Sequence, residues 1–337
     1  RTCPPPAFVS PRSRVILSSI REEVLCVSFP LGTDLTPQGD THRSDVANPR
    51  LRSDLIALGV IALLAGLGAG LVGALFRLAL EAANRFREAL IVRMDGWGVG
   101  GFALLVALTA GAAAIAAWLV RYAAPEAAGS GIPRVTAVLS GDVPPAPPRV
   151  IPVKFLAGTL AIGSGLALGR EGPTVQMGAS IAYQIGKLFR RSWTDCRPLL
   201  AAGAGAGFAV AFNAPIAGAL FVFEGLIKRI EARVAFATLA ASAVATWVGR
   251  AMFGDSPEFT VGPLTEPGLL QVPFFILLGI AAGLAGTLYN RTLLAALKTT
   301  DRLSRVPVEL RAGIVGAAAG AIAWFAPSLV GGGDGLA

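Results

Sequence analysis

With one histidine and three cysteines among 337 residues, the chain has little material for metal or thiol chemistry. His42 lies outside the apolar part of the sequence, so a histidine-based metal site or catalytic triad has nothing to draw on. Cys3, Cys26 and Cys196 fit neither a metal-cluster spacing nor a disulfide framework. Charge is scarce as well. Asp, Glu, Lys and Arg make up 15% of the residues, against about 25% in an ordinary soluble domain. A membrane enzyme would need a nucleophile–base pair or metal ligands within apolar sequence, and no histidine follows His42.

What fills the chain instead is apolar sequence. Hydrophobic residues make up 54%, with mean hydropathy +0.64. Residues 55–76 form a run of 22 without a charge. As a helix this run would extend ~33 Å, enough to cross a bilayer core. Similar runs occupy 99–120, 235–248, 269–289 and 312–330. A β-barrel would show alternating segments of about ten residues instead. The predicted fold class is therefore all-α, a polytopic integral membrane protein.

The net charge of +8 does not point to nucleic acid. The basic residues gather at the ends of apolar segments: Arg85, Arg87 and Arg93; Lys187, Arg190 and Arg191; Lys228, Arg229 and Arg233; Arg302, Arg305 and Arg311. Such clusters set topology and meet lipid headgroups, so the bilayer is the expected partner. Residues 1–52, rich in Pro, Ser, Asp and Arg, read as a disordered or spurious leader ahead of a membrane domain over 53–337.

The membrane domain contains an internal echo. In "GLGAGLVGALFRLAL" (66–80) and "GIAAGLAGTLYNRTLL" (279–294), Gly66, Gly70 and Gly73 correspond to Gly279, Gly283 and Gly286. Small residues at this spacing mark one helix face that a neighbour can approach closely. A second pair, "APEAAGSGIP" (124–133) and "APSLVGGGDG" (326–335), occurs in the same order. Repeats with interrupted helices are a mark of secondary transporters. The expectation is a first repeat over about 53–235 and the beginning of a second over about 260–337, whose remainder is missing.

Three motifs share one grammar. "GSGIP" (129–133), "GREGP" (169–173) and "FNAP" (212–215) each place a proline where a helix can begin inside apolar sequence. Ser130 and Asn213 are candidate caps. A helix that starts within the membrane presents unpaired N–H groups and the positive end of its dipole, which favour an anion. Interrupted backbone at that depth is tolerated where it lines a cavity. Three helix starts converging within ~10 Å would form a site for a desolvated anion, with no cofactor and no bound metal. Glu171, directly ahead of Gly172 and Pro173, is itself an anion. Its carboxylate can take the anion's place, and protonation would weaken its hold, making it a gate tied to pH.

These three motifs, in this order, resemble those of the CLC family of chloride channels and chloride/proton antiporters, over about residues 55–337. The resemblance implies an inverted-repeat bundle with broken helices, and a homodimer with one anion path per subunit. It implies that Ser130 contacts the central chloride through its hydroxyl, with Gly131 and Ile132 in the same anion-binding set. Backbone amides around Gly172, Pro173, Thr174 and Val175 would hold outer positions. Glu171 corresponds to the family's gating glutamate, while Lys154 and Arg170 occupy basic positions that tune the path's potential. Ser130 within "GSGIP" resembles the chloride-type rather than the fluoride-type pattern. A bacterial-type inner membrane is the expected location.

Two departures stand out. The family's G-x-F-x-P motif and the tyrosine of its central site do not follow Gly333, so the chain is expected to be C-terminally incomplete. In "FVFEGL", Glu224 matches the first acid of a family Glu-Glu pair, and Gly225 replaces the second, the usual intracellular proton relay. Glu224 can also pair with Lys228 at i+4, a purely structural role. Gly225 offers nothing that titrates, so the expectation is a passive channel. The alternatives are a chloride/proton antiporter that uses Glu224 or water as relay, and a non-transporting fragment or scaffold.

Overall fold

The computed structural model describes residues 49–229, 231–255, 268, 271–303 and 305–331, and among these it is helical with no strand. Most of the segment read as a leader, residues 1–48, lies outside the described residues. The first helix, α1 (Pro49–Asp95), begins slightly inside it, with proline at the position where its missing N–H costs least. Then follow α2 (Val99–Ala123), α3 (Ile132–Ser140), α4 (Val150–Gly163), α5 (Glu171–Leu188) and α6 (Trp193–Phe212). The chain continues with α7 (Pro215–Leu220), a π-helical stretch (Phe221–Ile227), α8 (Ala232–Phe253), α9 (Val272–Arg302) and α10 (Val308–Phe325). Five segments among the described residues are long and apolar enough to cross a membrane: Leu55–Asp95, Val99–Ala123, Ala232–Phe253, Val272–Thr300 and Val308–Phe325.

The centre is α6. Its "LLAAGAGAGFAVAF" is buried almost throughout, and its glycines decide its neighbours. A methyl group on Gly203 would strike the carbonyl of Gly178 on α5, and one on Gly207 the carbonyl of Thr174. A methyl group on Gly205 would instead lie 2.9 Å from the carbonyl oxygen of Gly218 on α7. Gly203 and Gly207 share a face at i, i+4, whereas a two-residue step turns about 200° around a helix. Helix α6 is therefore sandwiched between α5 and α7, with backbones in contact on both sides. Helix α5 runs antiparallel to it, because Gly186 faces Cys196 and Leu199 at the other end.

The first glycine stripe packs as its spacing predicts. Gly66 and Gly70 of α1 lie against the backbone of Ala241 and Ala245 on α8, and Gly73 against Val210 of α6. Its counterpart on α9 differs: Gly279, Gly283 and Gly286 meet no described residue, and α9 is exposed over residues 272–300. Close approach needs a partner as well as small residues, and no described element lies against that face.

The second echo extends to backbone conformation. Ala124 (φ −154°, ψ 85°) and Ala326 (φ −145°, ψ 74°) end α2 and α10, each donating its N–H to the carbonyl four residues back. A single 3₁₀ turn follows in both, Pro125–Ala127 and Pro327–Leu329. Extended Ala128 and Val330 come next, then Gly129 and Gly331 at φ +73° and +91°. The two helices pack together through Thr109, Ala113, Gly316 and Gly320.

Candidate anion site

Helices α3 and α5 begin where their prolines predict, and the two starts touch. The carbonyl and hydroxyl oxygens of Ser130 sit directly over Gly172, so a side chain at Gly172 would collide with both. The turn that delivers Ser130 depends on Gly129 and Gly131, at φ +73° and +98°, a region that disfavours other residues. The Val135 N–H donates to the Gly131 carbonyl (3.0 Å) and the Thr174 N–H to the Arg170 carbonyl (3.2 Å), which closes each first turn. Pro133 and Pro173 have no N–H. The amides left without a place in the helical ladders are those of Ile132 and Arg134 on α3, and of Glu171 and Gly172 on α5.

This divides the residues singled out from the sequence. Ser130, Gly131, Ile132 and Gly172 come together at the junction. Ser130 is exposed, and its hydroxyl makes no hydrogen bond among the described residues. Thr174 instead spends its N–H on Arg170, and its hydroxyl donates to the Arg170 and Glu171 carbonyls at 3.1 and 2.8 Å. Val175 is buried one residue further along the same ladder. Neither caps its helix by side chain, and Ser130 does not cap α3, whose N-cap is Gly131.

Glu171 is the first residue of α5 and half-buried. Its carboxylate is folded back over Gly169, where a side chain on residue 169 would meet it. Arg170, also half-buried, immediately precedes the helix. Lys154 is buried on α4, and its Nζ donates to the carbonyls of Ala127 (2.9 Å) and Gly129 (2.6 Å). The ammonium thus holds the turn that carries Ser130, a role its sequence position did not disclose.

The third helix start is not at this junction. Pro215 begins α7, but α6 stands between α7 and α5, roughly two interhelix spacings of 8–10 Å. Asn213 follows α6 as its C-cap in the left-handed conformation (φ 53°), and Ala214 takes the N-cap position of α7. The Asn213 side chain accepts a hydrogen bond from Arg250 Nε at 2.9 Å. The sequence marks where a helix starts but not which side of a neighbour it lies on.

Beyond α7 the backbone widens into π-helix, and Phe221 stacks on Phe208 of α6 with centroids 4.4 Å apart. The i,i+4 spacing assumed for Glu224 and Lys228 fails here. The wider turn moves the two residues out of line, and Lys228 ends the segment in a left-handed conformation (φ 59°). Glu224 is exposed and pairs with no described residue. Sequence reading also missed Gln176, which is fully buried on α5. Its Nε2 donates to the Glu126 carbonyl (2.8 Å), and its side chain packs against Gly131, where a methyl group would lie 2.7 Å from Oε1. An amide in an otherwise apolar stretch, "TVQMGA", was the available signal.

The pattern of the voltage gated chloride channel family matches residues 112–337. The H(+)/Cl(-) exchange transporter ClcA of Vibrio cholerae is 36% identical over 300 residues, which cover 87% of this chain and 64% of the relative. The H(+)/Cl(-) exchange transporter ClcA of Cronobacter sakazakii is 36% identical over 305 residues, 88% of this chain and 65% of the relative. The chain thus spans just under two thirds of the length of these relatives. The crystal structure of a slow cyanobacterial Cl-/H+ antiporter superposes with a TM-score of 0.77 at 32% identity, covering 82% of this chain and 66% of that one. These relatives are named as exchangers, which counts against the passive channel expected from Gly225. The chain belongs to the voltage-gated chloride channel (CLC) family.

Proposed function

We propose that the full-length protein exchanges chloride for protons across a membrane, with the Ser130–Gly172 junction as part of its anion path. The observation that carries this reading is the contact of two helix N-termini with Glu171 placed at one of them. Free amides of Ile132, Arg134, Glu171 and Gly172, the Ser130 hydroxyl and two helix dipoles all favour one anion at this place. The names of the relatives support chloride as that anion and protons as the exchanged ion. No cofactor is needed, because backbone donors replace the hydration shell.

Glu171 is the gate in this scheme. Ionised, its carboxylate competes for the donors at the head of α5; protonated, it releases them to chloride. Glu224 receives protons from the inner side, a role favoured by its exposure and its lack of a pairing cation among the described residues. Its π-helical stretch packs with Val222 and Leu226 against α3 and α6 in one core cluster with Val175 and Ala179 of α5, and roughly 10–15 Å along the helix axis must be crossed to reach Glu171. Gly225 supplies no titratable group, so water completes that passage. The protein acts as a homodimer in a bilayer, in a bacterial inner membrane.

The test is to reconstitute the full-length protein in liposomes, impose a chloride gradient and record internal pH with a dye. Proton movement against its own gradient is expected. Chloride movement without proton movement would restore the channel reading.

A further inference from the structure

Arg87 lies on α1 within the apolar span Leu55–Asp95, yet it is buried in the protein, with 6% of its surface exposed. No carboxylate pairs with it among the described residues. Its Nη1 donates to Asn84 Oδ1 (3.0 Å) on the same helix and to the carbonyl of Gly163 (3.3 Å), the last residue of α4. A charge buried on neutral partners recovers little of its desolvation cost, so fold stability is a poor account of it. Arginines that face the interior of a membrane bundle and pair with backbone carbonyls tend instead to mark ion pathways. Here the guanidinium grips the linker that leads to Glu171. Gly163 packs so closely on α1 that a methyl group there would lie 2.6 Å from Ala83 Cβ. Two residues on, the Gly165 carbonyl accepts from the N–H of Gly331 (3.1 Å), in the turn after α10. The guanidinium completes the contact, since a methyl group on Gly331 would lie 3.2 Å from both Nη1 and Nη2. Gly331 corresponds to Gly129, whose turn is held by the buried cation of Lys154. The second copy of the turn also rests on a buried cation, supplied this time by α1.

Ser164 and Gly165 are buried, whereas residues 167–169 are exposed. Glu171 follows, its carboxylate folded back over Gly169. The clamp on 163–165 is thus the last buried anchor of the linker before the gate. We infer that Arg87 is a positioning residue for Glu171: together with Gly331 it fixes the root of the linker that carries the gating carboxylate. A turn of the second repeat thereby bears on a gate built in the first. This role rests on the reading of Glu171 as the gate; the clamp itself does not. Without the clamp the carboxylate is less well aimed at the head of α5 and competes less for its donors. Chloride flux then depends less on pH.

The experiment has two arms on the full-length protein. Hydrogen exchange tests the clamp alone. Arg87→Met should speed exchange of the amides of residues 164–166 about three- to tenfold, the loss expected for one hydrogen-bonded link, while α6 keeps its wild-type rates. Unchanged exchange at 164–166, or equal acceleration throughout α6, would overturn the clamp whatever the protein transports. The second arm is chloride flux in liposomes at acidic and neutral pH. The acid-to-neutral flux ratio should fall about three- to tenfold in Arg87→Met. In a Glu171→Gln background the same change should leave flux unaltered at either pH, because no carboxylate remains to be aimed. An unchanged ratio, or a loss of flux by the same factor in both backgrounds, would overturn the positioning role. Arg87→Lys keeps the charge but lacks the planar head that reaches Gly163 and Gly331 together, so it should behave as Arg87→Met. A wild-type ratio in Arg87→Lys would overturn the clamp in favour of charge alone. Gly331→Ala crowds the guanidinium and strains a turn at φ +91°, so it should flatten the profile too, even if Arg87→Met fails to fold. A wild-type ratio there would overturn the proposal. A wild-type pH profile in Glu171→Gln would overturn the gate and the positioning role with it, and the exchange rates would still decide the clamp.

Discussion

Lys154 Nζ lies 2.6 Å from the carbonyl oxygen of Gly129 and 2.9 Å from that of Ala127, so a buried cation on α4 holds the turn that presents Ser130. Charged hydrogen bonds of this kind are worth about 1.5–3 kcal/mol each, and a buried acceptor left unmatched costs about 1–3 kcal/mol. Lys154→Met should therefore lower stability by about 2–4 kcal/mol and weaken chloride binding, since the turn loses its anchor. Thermal unfolding and chloride calorimetry check this. Wild-type values for both would show that Lys154 does not anchor the turn.

Gly172→Ala should be more damaging to the site than to the rest of the fold. The added methyl collides with the Ser130 carbonyl and hydroxyl, so α3 and α5 must separate. Chloride binding should fall at least tenfold. Gly111→Ala, at an open position on α2, should leave binding intact and stabilise by up to about 1 kcal/mol. Equal effects of the two changes on chloride affinity would remove the special status of the Ser130–Gly172 contact.

Glu171→Gln mimics the protonated gate. Chloride flux in liposomes should lose most of its pH dependence while chloride binding persists. The sign follows from competition: the wild-type carboxylate blocks when ionised, so flux should rise as pH falls, and the variant should stay at the high level. A variant whose pH profile matches wild type would show that the gate lies elsewhere.

Glu224→Gln should slow proton movement more than chloride movement, because it removes the proposed proton acceptor and leaves the junction alone. Parallel flux measurements on one preparation give the ratio. An unchanged ratio would transfer the relay to water alone.

Much of this geometry was legible because it is local. Proline places the starts of α3 and α7 to within a residue, and the spacing of Gly66 and Gly70 announces the face that α8 approaches. What could not be read depends on distant neighbours. Nothing in "FNAP" shows that α6 separates Pro215 from Glu171, since sequence periodicity gives a face but not its partner. Lys154 and Ala127 are 27 residues apart, and Gln176 and Glu126 are 50 apart. Such links form only once the helices are packed. The pairing of Glu224 with Lys228 failed for a different reason: it assumed α-helical spacing where the backbone is wound as a π-helix.

The most direct measurement is anomalous diffraction from crystals of the full-length protein grown or soaked with bromide in place of chloride. The account predicts a bromide peak at the Ser130–Gly172 junction, within hydrogen-bond distance of the Ser130 hydroxyl and of a free amide at the head of α3 or α5. It should strengthen in Glu171→Gln, where the competing carboxylate is gone. Bromide peaks confined to other parts of the molecule, with the junction empty in both proteins, would contradict it.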